Sequence, residues 1–144
     1  MRLAVVGDGP YLPELRRLID SFGLSDRVRL LGSLPLPTIA QWMNAASVLC
    51  LPSYSEGVPN VILEALACGT SVVATSVGGI PELDRGDGRM RLVPARVVEP
   101  LTEALRAAVS SEGPQDASGV INSWQQNAAK LMHLFSEYRS ERVK

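Results

Sequence analysis

The chain has 144 residues, 46% of them hydrophobic and 20% charged, with a formal net charge of −1 and a pI near 5.8. That length fits one domain with a sizeable core, and the balanced charge, with Arg and Lys spread out except at the very end, excludes the basic footprint of a nonspecific nucleic-acid binder. No apolar run approaches the roughly 20 residues that span a bilayer, and Cys50 and Cys68, both in apolar surroundings, suit reduced core thiols of a cytoplasmic protein better than a disulfide framework or a metal site.

Residues 2 to 7 read as a strand and Gly7-Asp8-Gly9-Pro10 as a turn. Leu12, Leu15, Leu18 and Ile19 then recur at helical spacing, which predicts a helix over residues 11 to 22 closed by Phe22 and Gly23. A second strand at 27 to 31 leads through Pro35 and Pro37 into a helix whose buried face includes Ile39, Trp42 and Met43. Residues 46 to 51 are apolar and short enough for a buried strand, which Pro52-Ser53-Tyr54-Ser55 breaks. After a loop, a helix begins with Pro59 at its first position, where the missing N–H is harmless, and Gly69 stops it. A strand at 71 to 75, a loop at 76 to 88 and a short strand at 89 to 93 follow. Residues 97 to 110 predict a helix with Val98, Leu101, Leu105 and Val109 on one face, then a polar linker from Ser110 to Gly119. A closing helix at about residues 119 to 139 carries an apolar stripe that includes Trp124, Leu131 and Phe135. This alternation predicts an α/β fold with a parallel sheet, and no internal repeat appears.

The segment from Ser55 to Gly69 carries the chemistry. It places Glu56 in the loop after a buried strand and Glu64 more than a turn inside the following helix. Gly57 lets the backbone approach a ligand closely, and the free N–H groups near Asn60 and Val61, at the positive end of the helix dipole, form an anion site. Carboxylates accept hydrogen bonds from paired sugar hydroxyls, so a phosphate held between two sugars satisfies both glutamates and the helix start together. A nucleotide-sugar has that shape. An arbitrary pair of glutamates at this spacing is more simply a loop charge and a solvated helix position; the surrounding residues favour the ligand.

Those residues resemble the donor-binding domain of the group 1 retaining glycosyltransferases with the GT-B fold. The resemblance rests on the Glu56 to Gly69 segment, on Thr70-Ser71-Val72-Val73-Ala74-Thr75 and Gly78-Gly79-Ile80-Pro81-Glu82 after it, and on Val5-Val6-Gly7-Asp8-Gly9-Pro10 and Val28-Arg29-Leu30-Leu31-Gly32 before it. It covers roughly residues 3 to 110 and implies a Rossmann-like parallel sheet with flanking helices, the carboxy-terminal half of a GT-B fold. Residues 1 to 110 are then expected to form the nucleotide-sugar-binding domain, and residues 111 to 144 a linker and a helix packing on it. The implied reaction moves a sugar from a nucleotide-diphosphate-sugar donor to an acceptor with retention of configuration. Glu64 would hold the ribose hydroxyls. Glu56 would be the catalytic residue, positioning the donor sugar's hydroxyls near the reacting carbon without nucleophilic attack. Ser55, Gly57, Val58, Asn60 and Val61 would line the phosphate and donor site, Gly7 and Gly9 the edge of the donor cleft, and Gly32 and Ser33 the nucleotide base. No metal or other cofactor is expected.

The same resemblance implies parts that the chain does not hold. The family's donor domain begins one strand and one helix earlier, with an arginine and a lysine that neutralise the diphosphate, and an acceptor-binding domain precedes it. The chain is therefore expected to be a fragment with little or no transferase activity alone, cytoplasmic or peripheral to the membrane in its full-length form. In the strand order 3-2-1-4-5-6 the absent strand is central, so strands 2 to 7 and 46 to 51 must pair directly or a strand of another molecule must fill the gap, giving self-association. Two alternatives remain open: a non-catalytic nucleotide-binding or interaction module, and a nucleotide-sugar epimerase of related fold.

Other candidates read as ordinary structure. In Gly7-Asp8-Gly9 the third glycine of a dinucleotide fingerprint is replaced by Leu12, which leaves a tight strand-to-helix turn. Asp84 and Asp87 belong to a solvated turn. Gly78, Gly79 and Glu82 lie on the same sheet edge as Glu56, with contact left open. The lone histidine, His133, excludes Ser-His-Asp and Cys-His chemistry centred on the glutamate loop, and one glutamate in a loop with one inside a helix gives no reason for the pair to flank a glycosidic bond.

Overall fold

A computed structural model describes residues 1 to 110; the predicted linker and closing helix, with His133, lie outside the described residues. The chain divides into two compact units, Met1–Trp42 and Met43–Lys144. In the first, β1 (Leu3–Val6) pairs in parallel with β2 (Val28–Gly32), and α1 (Leu12–Ser21) connects them. In the second, β3 (Val48–Leu51), β4 (Ser71–Thr75) and β5 (Met90–Val93) form a parallel sheet in the order β3-β4-β5. The helix α2 (Leu36–Ala45) crosses the division, while α3 (Asn60–Ala67) and α4 (Val98–Ser110) belong to the second unit, with a 3₁₀ turn at Ile80–Leu83. All these strand pairs are parallel, as the alternation of strands and helices predicts.

The core sits in the second unit. Val72, Val73 and Ala74 of β4 are all buried, so both faces of that strand are covered, which is why it reads as an unbroken apolar run. Ile62, Ala65 and Leu66 of α3, with Ile80 of the 3₁₀ turn, join them in the core. Thr70 is buried as well, and its hydroxyl donates to the Met43 carbonyl at 2.6 Å, which satisfies a polar group that would otherwise be stranded there.

One expectation about packing needs correction, and two further apolar stripes are covered only in part. Of the α2 residues assigned to a buried face, only Met43 is buried; Trp42 is 38% exposed. On α4 the buried residue is Ala108, whereas Val98 and Val109 are exposed, so the stripe is turned toward Leu101, Ala104 and Leu105. In α1 no residue is buried, and Leu15 and Leu18 line an open apolar groove against Leu3, Val5 and Val28. Helical spacing identifies a stripe but not how much of it a neighbour covers.

Of the two ways the sequence offers to close the sheet, direct pairing of the first strand with the third is not among the strand pairs formed: β1 pairs with β2, and β3 with β4. Pro59 is the residue before the helix, at φ −74° and ψ 116°, one position earlier than expected, because its extended ψ turns the chain into α3 at Asn60. Gly69, at φ 76°, ends that helix as expected, and Thr70 N–H closes the turn on the Ala65 carbonyl at 2.9 Å.

Ile62 is fully buried, so Ile62→Ala should destabilise the chain by about 3 kcal/mol. Urea unfolding followed by circular dichroism should show the midpoint fall with an unchanged slope.

Candidate functional site

Because β3, β4 and β5 run parallel, the loops at residues 52–59, 76–79 and 94–97 leave the same edge of their sheet. The first of these holds Glu56. Its carboxylate is half-buried and accepts a hydrogen bond from the Ser53 hydroxyl at 2.6 Å, which fixes the side chain within its own loop. That loop is in turn tied to the sheet: Thr75, 3% exposed at the end of β4, donates its hydroxyl to the Ser53 carbonyl at 2.5 Å.

A second tie comes from the loop after β4. Gly79 N–H donates to the Gly57 carbonyl at 2.9 Å. A Cβ on Gly78, whose φ is +54°, would overlap the Glu56 carbonyl oxygen, and one on Gly79 would come within 2.8 Å of the Gly57 carbonyl oxygen. The two glycines are therefore there to let one backbone lie against the other. Contact between this loop and Glu56, left open by the sequence, is made through the main chain. Glu82 is exposed on the 3₁₀ turn.

Beyond Glu56 the chain passes Gly57 and Val58, both exposed, to the start of α3, where no side chain caps the helix. Asn60 and Val61 supply its first backbone N–H groups, the arrangement that favours an anion. Glu64 lies in the second turn of α3 and is half-buried. Ser55, Glu56, Gly57, Val58, Asn60, Val61 and Glu64 thus fall on one loop-helix element of the second unit. Gly7, Gly9, Gly32 and Ser33 belong to the first unit, at the carboxyl ends of β1 and β2, where Gly7 N–H donates to the Gly32 carbonyl at 2.8 Å. A groove of about 380 Å³ follows the Gly7 to Leu12 turn, with Tyr11 at its side.

Asp84 and Asp87 serve their own turn. Asp84 accepts from Gly86 N–H at 2.9 Å, and Asp87 accepts from the backbone and side chain of Arg89, whose hydrogen bonds hold the Asp87 carboxyl below the usual carboxylate range. Among the described residues no three His, Cys, Asp or Glu side chains cluster to hold a metal ion, and no helix is long and apolar enough to cross a membrane. Cys50 and Cys68 are free thiols, and burial pushes the Cys50 thiol up, which keeps it unreactive.

The profile of the glycosyl transferases group 1 family matches residues 1–111. The chain belongs to this family. Among curated group 1 relatives, a D-inositol 3-phosphate glycosyltransferase of Kribbella flavida is 40% identical over 114 residues, 78% of this chain and 27% of that protein. A 2-deoxystreptamine N-acetyl-D-glucosaminyltransferase of Streptomyces fradiae is 38% identical over 107 residues, 74% of this chain and 25% of that protein. The chain thus spans about a quarter of the length of these relatives. Among solved structures, Anabaena HepE in complex with UDP superposes with a TM-score of 0.76 at 26% identity, over 98% of this chain and 41% of HepE. The GT-B glycosyltransferase fold read from the sequence is therefore the fold of the group 1 chain.

What sequence reading missed is how Glu56 is held. Thr75 reads in the sequence as the last residue of a strand and Gly78-Gly79 as part of the following loop; two adjacent glycines three residues beyond a buried strand are the available signal. Gly78→Ala should destabilise the chain by about 2 kcal/mol or more, since it adds both strain at positive φ and a backbone overlap. Chemical unfolding checks it. An exposed glycine whose Cβ would meet nothing within 4 Å, Gly57, should tolerate the same change to within about 0.5 kcal/mol.

Proposed function

We propose that the chain supplies the donor-binding half of a glycosyltransferase, which takes a sugar from a nucleotide-diphosphate-sugar and passes it to an acceptor with retention of configuration. The observation that carries this reading is the braced loop-helix element: Glu56, the uncapped start of α3 and Glu64 follow one another along the carboxyl edge of a parallel sheet. The UDP in the HepE structure supports the ligand class. In this reading the first-turn amides of α3 take the diphosphate, Glu64 accepts from the ribose hydroxyls and Glu56 from those of the donor sugar. Rate acceleration then comes from orienting donor and acceptor and from stabilising charge on the departing diphosphate. Glu56 positions, and its hydrogen bond from Ser53 limits how far the carboxylate wanders. Ser55 and Val58 flank the sugar. The acceptor belongs to a part of the enzyme outside this chain, and the two free thiols suit a reducing cytoplasm.

Isothermal titration of the chain with UDP, GDP and ADP tests the reading. Saturable binding of one nucleotide, weakened at least about tenfold in Glu64→Ala through loss of a charged acceptor, is the expected result. Binding that Glu64→Ala leaves unchanged, or no binding of any of the three, contradicts it.

The same reading extends to association. β1 and β3 carry apolar sequences suited to the interior of a sheet, yet among the described residues each is hydrogen-bonded to a single strand, and Leu3 and Val6 of β1 are 47% and 40% exposed. Such edges recruit a further strand, and a second copy of the chain supplies it. Light scattering across a concentration series should show dimer growing with concentration; a monomer throughout contradicts this.

A further inference from the structure

Arg96, in the loop between β5 and α4, has φ 66° and is the one non-glycine residue with positive φ among the described residues. An L side chain is disfavoured there, and a glycine would relieve the strain. Burial does not explain why an arginine occupies the position. Arg96 is exposed, and the partner of its guanidinium, the Tyr54 ring at 5.1 Å from carbon to centroid, is itself 69% exposed. Nor does an ion pair: Arg96 is in none among the described residues. Strain kept at an exposed site that neither burial nor an ion pair explains is the pattern of a functional residue.

Its place in the fold gives the function. Residues 52–59, 76–79 and 94–97 form the three loops at the carboxyl edge of the β3-β4-β5 sheet, and Arg96 is their single Arg or Lys. Tyr54, whose ring lies under its guanidinium carbon, is on the Glu56 loop. A guanidinium held over a ring by its charge still has N–H donors to offer, in a fork that matches phosphoryl oxygens. We propose that Arg96 is a diphosphate-binding residue of the donor site, with Tyr54 as the positioning residue that holds the guanidinium over the Glu56 loop. This rests on the donor-binding reading above. It gives the chain a side-chain cation of its own for a ligand that otherwise meets backbone amides and two carboxylates.

The test uses the full 144-residue chain and its Arg96→Gly, Arg96→Lys, Tyr54→Phe and Glu64→Ala variants. Each is titrated with UDP, GDP, ADP and inositol monophosphate, and its thermal midpoint is measured. Arg96→Gly should weaken the preferred nucleoside diphosphate about tenfold or more, while its midpoint stays level or rises by up to about 3 °C as the strain is relieved. Arg96→Lys should recover part of the affinity through its charge, and Tyr54→Phe, which keeps the ring face, should bind within about twofold of the unaltered chain. Unchanged diphosphate binding in Arg96→Gly, with loss in Glu64→Ala, overturns the role of Arg96 and leaves the donor reading standing. A midpoint lowered by several degrees in Arg96→Gly overturns it as well, by making Arg96 a packing residue. If Arg96→Gly loses inositol monophosphate but not the diphosphates, the phosphoryl group is an acceptor's and the donor assignment falls. If the unaltered chain binds none of the nucleotides, the donor reading falls and takes this inference with it.

Discussion

The site depends on one backbone contact, the Gly78-Gly79 turn lying against Glu56 and Gly57. A hydrogen bond from Gly79 N–H to the Gly57 carbonyl fastens the two loops, and the absence of side chains on Gly78 and Gly79 is what permits the approach. Loops at the end of a sheet are the part of a fold with the fewest packing partners, and a ligand-binding carboxylate on an unfastened loop would lose much of its binding free energy to ordering. Here β4 acts twice on its neighbour's loop, through the Thr75 hydroxyl on the Ser53 carbonyl and through the glycine turn that follows. The rigid part of the unit, whose core is built on Val72, Val73, Ile62 and Ile80, is thereby extended to the residues that do the proposed chemistry.

The electrostatic character of the edge follows from the same arrangement. Two half-buried carboxylates, Glu56 and Glu64, flank a helix start whose amides favour anions. Hydroxyl donors suit the first and phosphoryl oxygens the second, so a ligand that carries both in sequence is matched along its length, while a simple anion is repelled by the carboxylates. Arg96 over Tyr54 would shift that balance toward phosphate without disturbing the glutamates.

The order and type of elements were legible in the sequence because strands and helices differ in period and are separated here by Pro and Gly. β4 matches its expected bounds to the residue, and the Glu56 loop, α3 and its Gly69 stop follow from where Pro52, Pro59 and Gly69 stand in the chain. Burial was less legible. Trp42, Val98 and Val109 are apolar at helical spacing and yet exposed, since spacing says which residues share a face and not how much of it another element covers. The positioning of Glu56 was hidden for a different reason: it depends on main-chain contact between loops about twenty residues apart, for which an adjacent glycine pair is the sole trace. Arg96 was hidden too, because a left-handed φ at a non-glycine residue leaves no mark in the sequence.

The central claim is that a nucleotide-sugar's diphosphate lies at the start of α3 beside the braced Glu56 loop. Amide chemical shifts of the nitrogen-15-labelled chain, followed as the nucleotide preferred in titration is added, test it residue by residue. The account predicts saturable shifts concentrated at Gly57, Val58, Asn60 and Val61, with Gly78 and Gly79 moving with them through their backbone contact. Saturable shifts confined to other loops, with these amides unmoved, would contradict it.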